Sequence, residues 1–216
     1  MSTIEQRFSA VSASGTFKRL LASTGLSTKS VLDIGCCNGE HLAHFGTGST
    51  GITINAEEVA VGKEKGLDIR LGNAEEVMPV TEKYDAIYAN NLFEHLYSPH
   101  RFLHTTRELL APGGILVLGV PVFPFAHLLM RHKRFRGALA DAHINFFTRK
   151  TLTTTVERGG WNVVSVRSFR IGLPWLDRLV IDLFPHVYVI ATPNPDFSYS
   201  KKRLKELAGY TNYRTR

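Results

Sequence analysis

Five short apolar runs, separated by helix-patterned stretches, occupy the first 120 residues, and this alternation leaves few folds open. The runs are SVLDIG (30–35), TGITIN (50–55), DIRLG (68–72), YDAIYAN (84–90) and GILVLGV (114–120). Each is rich in β-branched or aromatic residues and bounded by glycine, proline or polar residues, as buried strands are. Glu40–Phe45, Ala56–Lys65 and Pro99–Leu110 read as helices; in the last, Phe102, Leu103, Leu109 and Leu110 fall at helical spacing. Strands alternating with helices predict an α/β fold whose parallel sheet is covered on both faces. Beyond Pro121 two more strands are expected, WNVVSVRSF (161–169) and HVYVIATP (186–193). A helix is expected after Thr148 as N-cap, stopping at Gly159-Gly160. LPWLDRLVIDLF reads as a short amphipathic helix, with Trp175, Leu176, Leu179, Val180 and Leu183 expected mostly in the core. In the polar tail 194–216 only KKRLKELAGY looks helical.

The most informative segment is VLDIGCCNGEHLAHF (31–45), where a strand ends in Gly35, a turn of small residues follows and a helix is expected from about Gly39. Such a turn lets a ligand approach the backbone closely, and a helix N-terminus offers unpaired N–H groups. In open α/β sheets ligands bind at this edge, beyond the C-terminal ends of the strands. Dinucleotide binding requires three glycines at G-x-G-x-x-G spacing and an acid about 20 positions on. Here only Gly35 and Gly39 are present, and the second strand ends at Thr53. A phosphate-binding P-loop fails as well, because no Gly-Lys-Ser/Thr follows.

Composition narrows the class. With 216 residues, 44% hydrophobic and 21% charged, the chain can bury a core of its own and is not globally disordered. Its two cysteines, Cys36 and Cys37, are adjacent, which excludes a disulfide scaffold. The longest apolar stretch, from Gly114, is interrupted by two prolines and a histidine and is too short to span a bilayer. The N-terminal MSTIEQRFSAVSASG has no apolar signal core, so a soluble cytoplasmic protein is the default expectation. Charge is uneven: residues 1–130 hold 10 basic and 13 acidic side chains, and residues 131–216 hold 16 and 6. The excess begins at Arg131, Lys133, Arg134 and Arg136 and points to an anionic partner: a membrane, a nucleic acid or a charged substrate.

The segment 31–45 resembles the first motif of class I S-adenosylmethionine-dependent methyltransferases, hhDhGCGxG, and the resemblance continues through about residues 28–168. GITINAEEVAVGKEKGLDIRLGNAEE (51–76) resembles that family's second strand, helix, third strand and adenine-contacting turn. YDAIYANNLFEHL (84–96) resembles its fourth-strand signature with the Glu94-His95 pair, and RELLAPGGILVLGVP (107–121) its fifth strand. HINFFTRKTLTTTVERGGWNVVSV (143–166) is similar to the stretch after the lid in a bacterial subgroup that includes ubiquinone-biosynthesis-like and saccharide-modifying O-methyltransferases. The resemblance implies a Rossmann-like, seven-stranded, mostly parallel sheet with the last strand antiparallel. It implies one methyltransferase domain over 1–193 with a lid at about 121–147, then a basic tail over 194–216.

The resemblance also implies S-adenosylmethionine as cofactor. Asp33, Gly35, Cys36, Cys37 and Gly39 would face its methionine part, and Thr53 and Ile54 the ribose. Asn73, Ala74 and Glu75 would lie at the adenine, and Asn90 and Asn91 beside the amino group. Three positions depart from the family pattern: Cys37 replaces a glycine, Thr53 the acid that takes the ribose hydroxyls, and Asn73 an aspartate. Losing charge-assisted bonds there should weaken binding by about 1–2 kcal/mol.

Methyl transfer is a direct displacement, and an oxygen acceptor needs a base. His95 and then His143 are the candidates, since an imidazole suits that task near neutral pH. No spacing suggests a metal cluster, so no metal is expected. The lid's Phe123, Phe125, Leu128, Leu129 and Met130, with its four cations, read as a basic amphipathic helix. That helix allows peripheral contact at the inner membrane surface, and the resemblance to the subgroup implies an acceptor that is small or lipid-linked: saccharide, glycolipid or quinone-like. An RNA methyltransferase and a non-catalytic cofactor-binding relative are the competing expectations; no added RNA-binding module favours the first.

Overall fold

The computed structural model describes residues 3–76, 78–124, 129 and 131–207. Its strands are β1 (Val31–Ile34), β2 (Thr50–Thr53), β3 (Ile69–Leu71), β4 (Tyr84–Asn90), β5 (Leu110–Phe123), β6 (Phe147–Thr148), β7 (Trp161–Arg167) and β8 (His186–Pro193). Its α-helices are α1 (Ile4–Ala13), α2 (Gly15–Thr24), α3 (Ala56–Glu64), α4 (Pro99–Arg107), α5 (Arg149–Arg158), α6 (Pro174–Leu179) and α7 (Lys201–Leu207). The sheet runs in the order β3-β2-β1-β4-β5-β8-β7. β3, β2, β1, β4 and β5 are mutually parallel, and β8 lies antiparallel between β5 and β7. The expected seven strands with an antiparallel last one are present. The two-residue β6 is additional, pairing Val122 with Phe147 at the far end of β5.

Side-chain alternation explains the two-sided cover. Along β1, Leu32 and Ile34 enter a large cluster with Phe93, Phe102, Leu152 and Trp161, beneath α4 and α5. Val31 faces the opposite cluster with Phe17 and Leu20 of α2 and with Tyr88. β4 divides the same way, Ile87 and Ala89 to one side and Ala86 and Tyr88 to the other. A central strand with apolar side chains on both faces therefore needs helices on both sides.

Four expectations change. The helix expected over Glu40–Phe45 is only a 3-10 turn, Leu42–His44. Gly39 at φ +90° precedes it, and the amide of Gly46 donates to Leu26 instead of continuing the ladder. So few residues between glycines cannot offset the cost of helix nucleation. β5 is longer than expected, because Leu110 already pairs with Tyr84 before a register shift and Phe123 still pairs with Thr148. The basic segment is a 3-10 helix over Lys133–Leu139 that buries Phe135 and Ala138, not a long amphipathic α-helix. Leu129 is half-buried, while Phe125, Leu128 and Met130 lie outside the described residues.

The fourth change concerns α6. Its buried residue is Asp177, whose carboxylate accepts from the amides of Ser168, Phe169 and Ile171 and from the Ser168 hydroxyl. Those bonds hold the carboxyl below its ordinary range despite burial. With the polar face turned inward, the apolar face turns out: Trp175 is 66% exposed, Leu179 74%, and Leu173 and Leu183 are also exposed. Only Leu176 and Val180 of the expected core set are half-buried.

Candidate functional site

A cavity of about 570 Å³ opens at the C-terminal ends of β1, β2 and β4. Gly35, Cys37, Thr53, Ile54, Asn73, Ala74, Glu75, Asn91 and His95 line it, together with Ile34, Ile52, Glu58, Leu92 and Leu96 among others. Its size falls within the roughly 300–1,000 Å³ of small-molecule pockets. A cavity of about 610 Å³ lies elsewhere, between Tyr97–His100 and Tyr199–Arg203, but it contains neither the glycine turn nor a strand end.

The turn after β1 is shaped by two glycines. Gly35 has φ +79°, and a Cβ there would meet Leu92 at 3.3 Å, on the cavity wall. Gly39 has φ +90°, and its Cβ would strike Leu67 at 2.6 Å, so the chain presses against the loop before β3. Cys37 stands at φ 51°, a left-handed conformation uncommon outside glycine, where the family motif carries glycine. The two cysteines separate. Cys37 faces the cavity, whereas Cys36 packs with Leu42 and Ile69 and fills the space above Gly51. Burial pushes both thiols up, which keeps them protonated.

The carboxylate missing at the end of β2 is supplied one turn later. Glu58 of α3 accepts a hydrogen bond from the Thr53 hydroxyl, and both residues line the cavity. Sequence reading passed over Glu58; the available signal was the acidic pair Glu57–Glu58 behind the Asn55 N-cap. Asn73 accepts the Glu75 amide at 3.0 Å and donates to Glu76 at 3.2 Å, so its side chain mainly folds its own turn. The Glu75 carboxylate accepts from the amides of Tyr97 and Ser98, joining the turn after β3 to the loop after β4.

Asp33, Cys36, Gly39 and Asn90 do not line this cavity. Asp33 is buried with Oδ2 unpartnered, and burial, then the nearby Glu40 charge, raises its carboxyl well above the ordinary range. Glu40 is itself buried, bonded by Asn38 at 3.1 Å and paired with Arg7 of α1 at 2.7 Å. Asn90 lines a smaller neighbouring cavity of about 250 Å³ with Arg170 and His186. Asn91, at φ 52°, holds His186 at 3.0 Å.

His95, on the cavity wall, is grouped with Glu94 and His143. The 3-10 turn Phe93–His95 follows β4, and the segment before β6 is fastened to it. The amides of Ile144 and Asn145 donate to the Glu94 carbonyl at 3.1 and 2.9 Å, and Asn145 Nδ2 donates to the Leu96 carbonyl at 2.6 Å. Phe93 stacks on Phe147 beneath. His95 Nδ1 lies 2.9 Å from the Ala142 carbonyl, and His143 Nδ1 3.2 Å from that of Ala138. A carbonyl only accepts, so each Nδ1–H donates to it, and in the neutral ring Nε2 is then the nitrogen with the lone pair. Both Nε2 atoms lie 3.9 Å from Glu94 Oε1. Glu94 is 1% exposed, neither carboxylate oxygen has a hydrogen-bond partner, and burial raises its pKa. The sequence spacing suggested no such cluster, because His143 lies far along the chain and is brought back by the bonds of Ile144 and Asn145 to the turn after β4.

Arg131, Lys133, Arg134 and Arg136 are exposed. The Arg134 guanidinium lies 5.7 Å over the Phe184 ring, which joins the basic 3-10 helix to the apolar surface around α6. Among the described residues, no helix is long and apolar enough to cross a membrane.

The profile of the methyltransferase-domain family matches residues 4–166. A ubiquinone biosynthesis O-methyltransferase of Aeromonas salmonicida is 29% identical over 119 residues, which span 50% of this chain and 50% of that one. The chain thus matches about half the length of the curated relatives. Among solved structures, an S-adenosylmethionine-dependent methyltransferase from Mesorhizobium loti superposes with TM-score 0.61 at 16% identity, covering 84% of this chain and 99% of that one. DhpI, solved with S-adenosylhomocysteine (SAH), superposes with TM-score 0.61 at 19% identity, covering 90% and 89%.

Proposed function

This chain belongs to the methyltransferase-domain family, whose cofactor is S-adenosylmethionine, and from that premise we propose that it methylates an oxygen of a small or lipid-linked, anionic acceptor. A quinone-like acceptor is compatible with the distant ubiquinone O-methyltransferase relatives, and a saccharide or glycolipid is the other acceptor of this reading. The observation that carries the reading is the meeting of the 570 Å³ cavity with the Glu94–His95–His143 group, His95 belonging to both.

The residues present fit the cofactor. Gly35 and Cys37 leave backbone space for its methionine part, Glu58 with Thr53 offers a carboxylate to ribose hydroxyls beside Ile54, and Ala74 offers apolar surface to the adenine. When bound, the cofactor supplies an electrophilic methyl group on a sulfonium. The protein's part is to align and to handle a proton. His95 and His143, oriented by Ala142 and Ala138, present bare Nε2 atoms that activate the acceptor oxygen. Residues 1–193 form one methyltransferase domain in this reading, with 194–216 as a basic tail.

The lipid-linked form rests on the outward-turned Trp175, Leu179, Leu173 and Leu183 beside Arg131, Lys133, Arg134 and Arg136. An exposed tryptophan among leucines with a cationic collar matches the chemistry of an anionic bilayer surface. Two experiments test these statements. Calorimetry should give one S-adenosylmethionine per chain, and no detectable binding would overturn the enzyme reading. Anionic vesicles at low salt should bind the protein, salt should release it, and Trp175→Ser with Leu179→Ser should abolish binding. Failure of the native chain to bind anionic vesicles would overturn the membrane reading alone.

A further inference from the structure

We infer that Glu94, His95 and His143 form a binding site for a first-row divalent cation such as zinc. Their ligand atoms, Glu94 Oε1 and the two Nε2 nitrogens, lie within 4.8 Å of one another. Each carboxylate-to-imidazole separation is 3.9 Å, beyond hydrogen-bond reach, so the three groups face one another without bonding. Ligands around zinc at about 2.0–2.2 Å lie roughly 3.3 Å apart, so small side-chain rotations bring these three onto one ion.

Three observations separate this from chance proximity. Glu94 is almost wholly buried, yet both of its oxygens lack a partner. A buried carboxylate without a bond is costly, and a cation is the partner that the surrounding atoms are arranged to share. Both histidines donate Nδ1–H to a backbone carbonyl, which fixes the ring and tautomer so that Nε2 points inward with its lone pair. That carbonyl anchoring is the outer shell of protein metal sites. Finally, the two chain segments are locked together by bonds that do not involve the ligands: Ile144 and Asn145 to Glu94, Asn145 to Leu96, and Phe93 stacked on Phe147. The scaffold is therefore built before any ion arrives.

Two imidazoles and one carboxylate are a donor set for zinc or other first-row ions, not for magnesium, which prefers oxygen and retains its water. Three protein ligands leave coordination positions open, and His95 also lines the large cavity, so an open position faces the acceptor side. An oxygen bound there becomes more acidic, which would replace a free imidazole base. That use of the ion rests on the function proposed above; binding of the ion does not.

The test uses the full chain, purified without a histidine tag and dialysed against chelator, then titrated with zinc by calorimetry and with cobalt by absorption spectroscopy. We expect one ion per chain and a cobalt spectrum with visible bands of mixed nitrogen and oxygen ligation. His143→Ala and Glu94→Gln should each weaken zinc binding by at least about tenfold. If either fails to fold, His95→Ala serves, since that ring is more exposed. Absence of stoichiometric binding, or binding unchanged in the folded variants, overturns the site. S-adenosylmethionine affinity is measured on the same metal-free sample, so loss of the cofactor reading registers separately from loss of the metal site.

Discussion

Removing the Glu58 carboxylate should weaken cofactor binding more than it weakens the fold. Glu58 touches Thr53 from the first turn of α3, and both line the cavity where the ribose belongs in the proposed reading. A hydrogen bond to a charged acceptor is worth about 1.5–3 kcal/mol. Glu58→Ala should then raise the S-adenosylmethionine Kd roughly 10- to 100-fold, because each 1.4 kcal/mol is a factor of ten. Glu58→Gln keeps the shape and loses the charge, so its effect should stay below about tenfold. The fold loses chiefly the Thr53 bond, about 1 kcal/mol, which lowers Tm by roughly 2–4 °C in a chain of this size. Calorimetric titration gives the affinities and a thermal melt gives the stability. A cofactor analogue lacking the ribose 2′-hydroxyl closes the cycle: it should bind native and Glu58→Ala protein with nearly equal affinity. A Glu58→Ala protein with lowered Tm and unchanged Kd would refute the reasoning and reduce Glu58 to a brace for Thr53.

Other outcomes follow from the same geometry. Gly39→Ala places a Cβ 2.6 Å from Leu67 at φ +90°, and overpacking plus left-handed strain should cost about 2–4 kcal/mol, read as a lower urea midpoint. Arg7→Leu leaves the buried Glu40 with only its Asn38 bond beside Asp33; because Arg7 is itself exposed, the cost should be about 1–2 kcal/mol, with Glu40→Gln in the same chain recovering most of it in a double-mutant cycle. Burial lowers both His41 and His186 to about 4, from 6.5 in the unfolded chain, so stability is complete above pH 6.5 and falls as pH drops from there toward 4. The slope should reach about 1.4 kcal/mol per pH unit per histidine, and His41→Phe should flatten it in urea titrations; an unchanged slope would refute the assignment. His95→Ala should slow methyl transfer from labelled cofactor by about 100-fold, and an unchanged rate would remove it from acceptor activation.

The sheet was legible because its signal is local. Every strand from β1 to β5, and β7 and β8, is a run of β-branched or aromatic residues ending in glycine or polar residues, and their order follows from alternation with helices. The elements misread are those where a tertiary partner overrides the local pattern. LPWLDRLVIDLF has a helical apolar stripe, yet the buried Asp177 reverses which face is inward, and only the bonds it receives from the preceding Ser168–Ile171 turn reveal it. The helix expected after Gly39 has suitable residues but too few of them between glycines. Cavity-facing positions of the glycine turn were readable from motif spacing, whereas the side of the sheet to which Cys36 turns depends on the empty space above Gly51. The pairing of His95 with His143 was unreadable for the same reason: it is enforced by backbone bonds of Ile144 and Asn145 and by the Asn145 side chain, none of which the sequence announces.

These displacements share a pattern that bears on the three family departures. At β2 the acid has moved from the strand end to Glu58, one helical turn on, with Thr53 holding it in place. At the glycine turn the short 3-10 segment Leu42–His44 provides little of the helix-terminal field that an α-helix would aim at a ligand. Arg7, from α1, instead brings a full charge to the same turn through Glu40. At the adenine turn Asn73 folds the loop and Glu75 fastens it to Tyr97 and Ser98, leaving recognition there to backbone and apolar surface. At β2 and at the glycine turn the charged group lies on a neighbouring segment, not at the motif position. A motif read position by position therefore misses Glu58 at this cavity, and α1 is tied to the glycine turn by the Arg7–Glu40 pair.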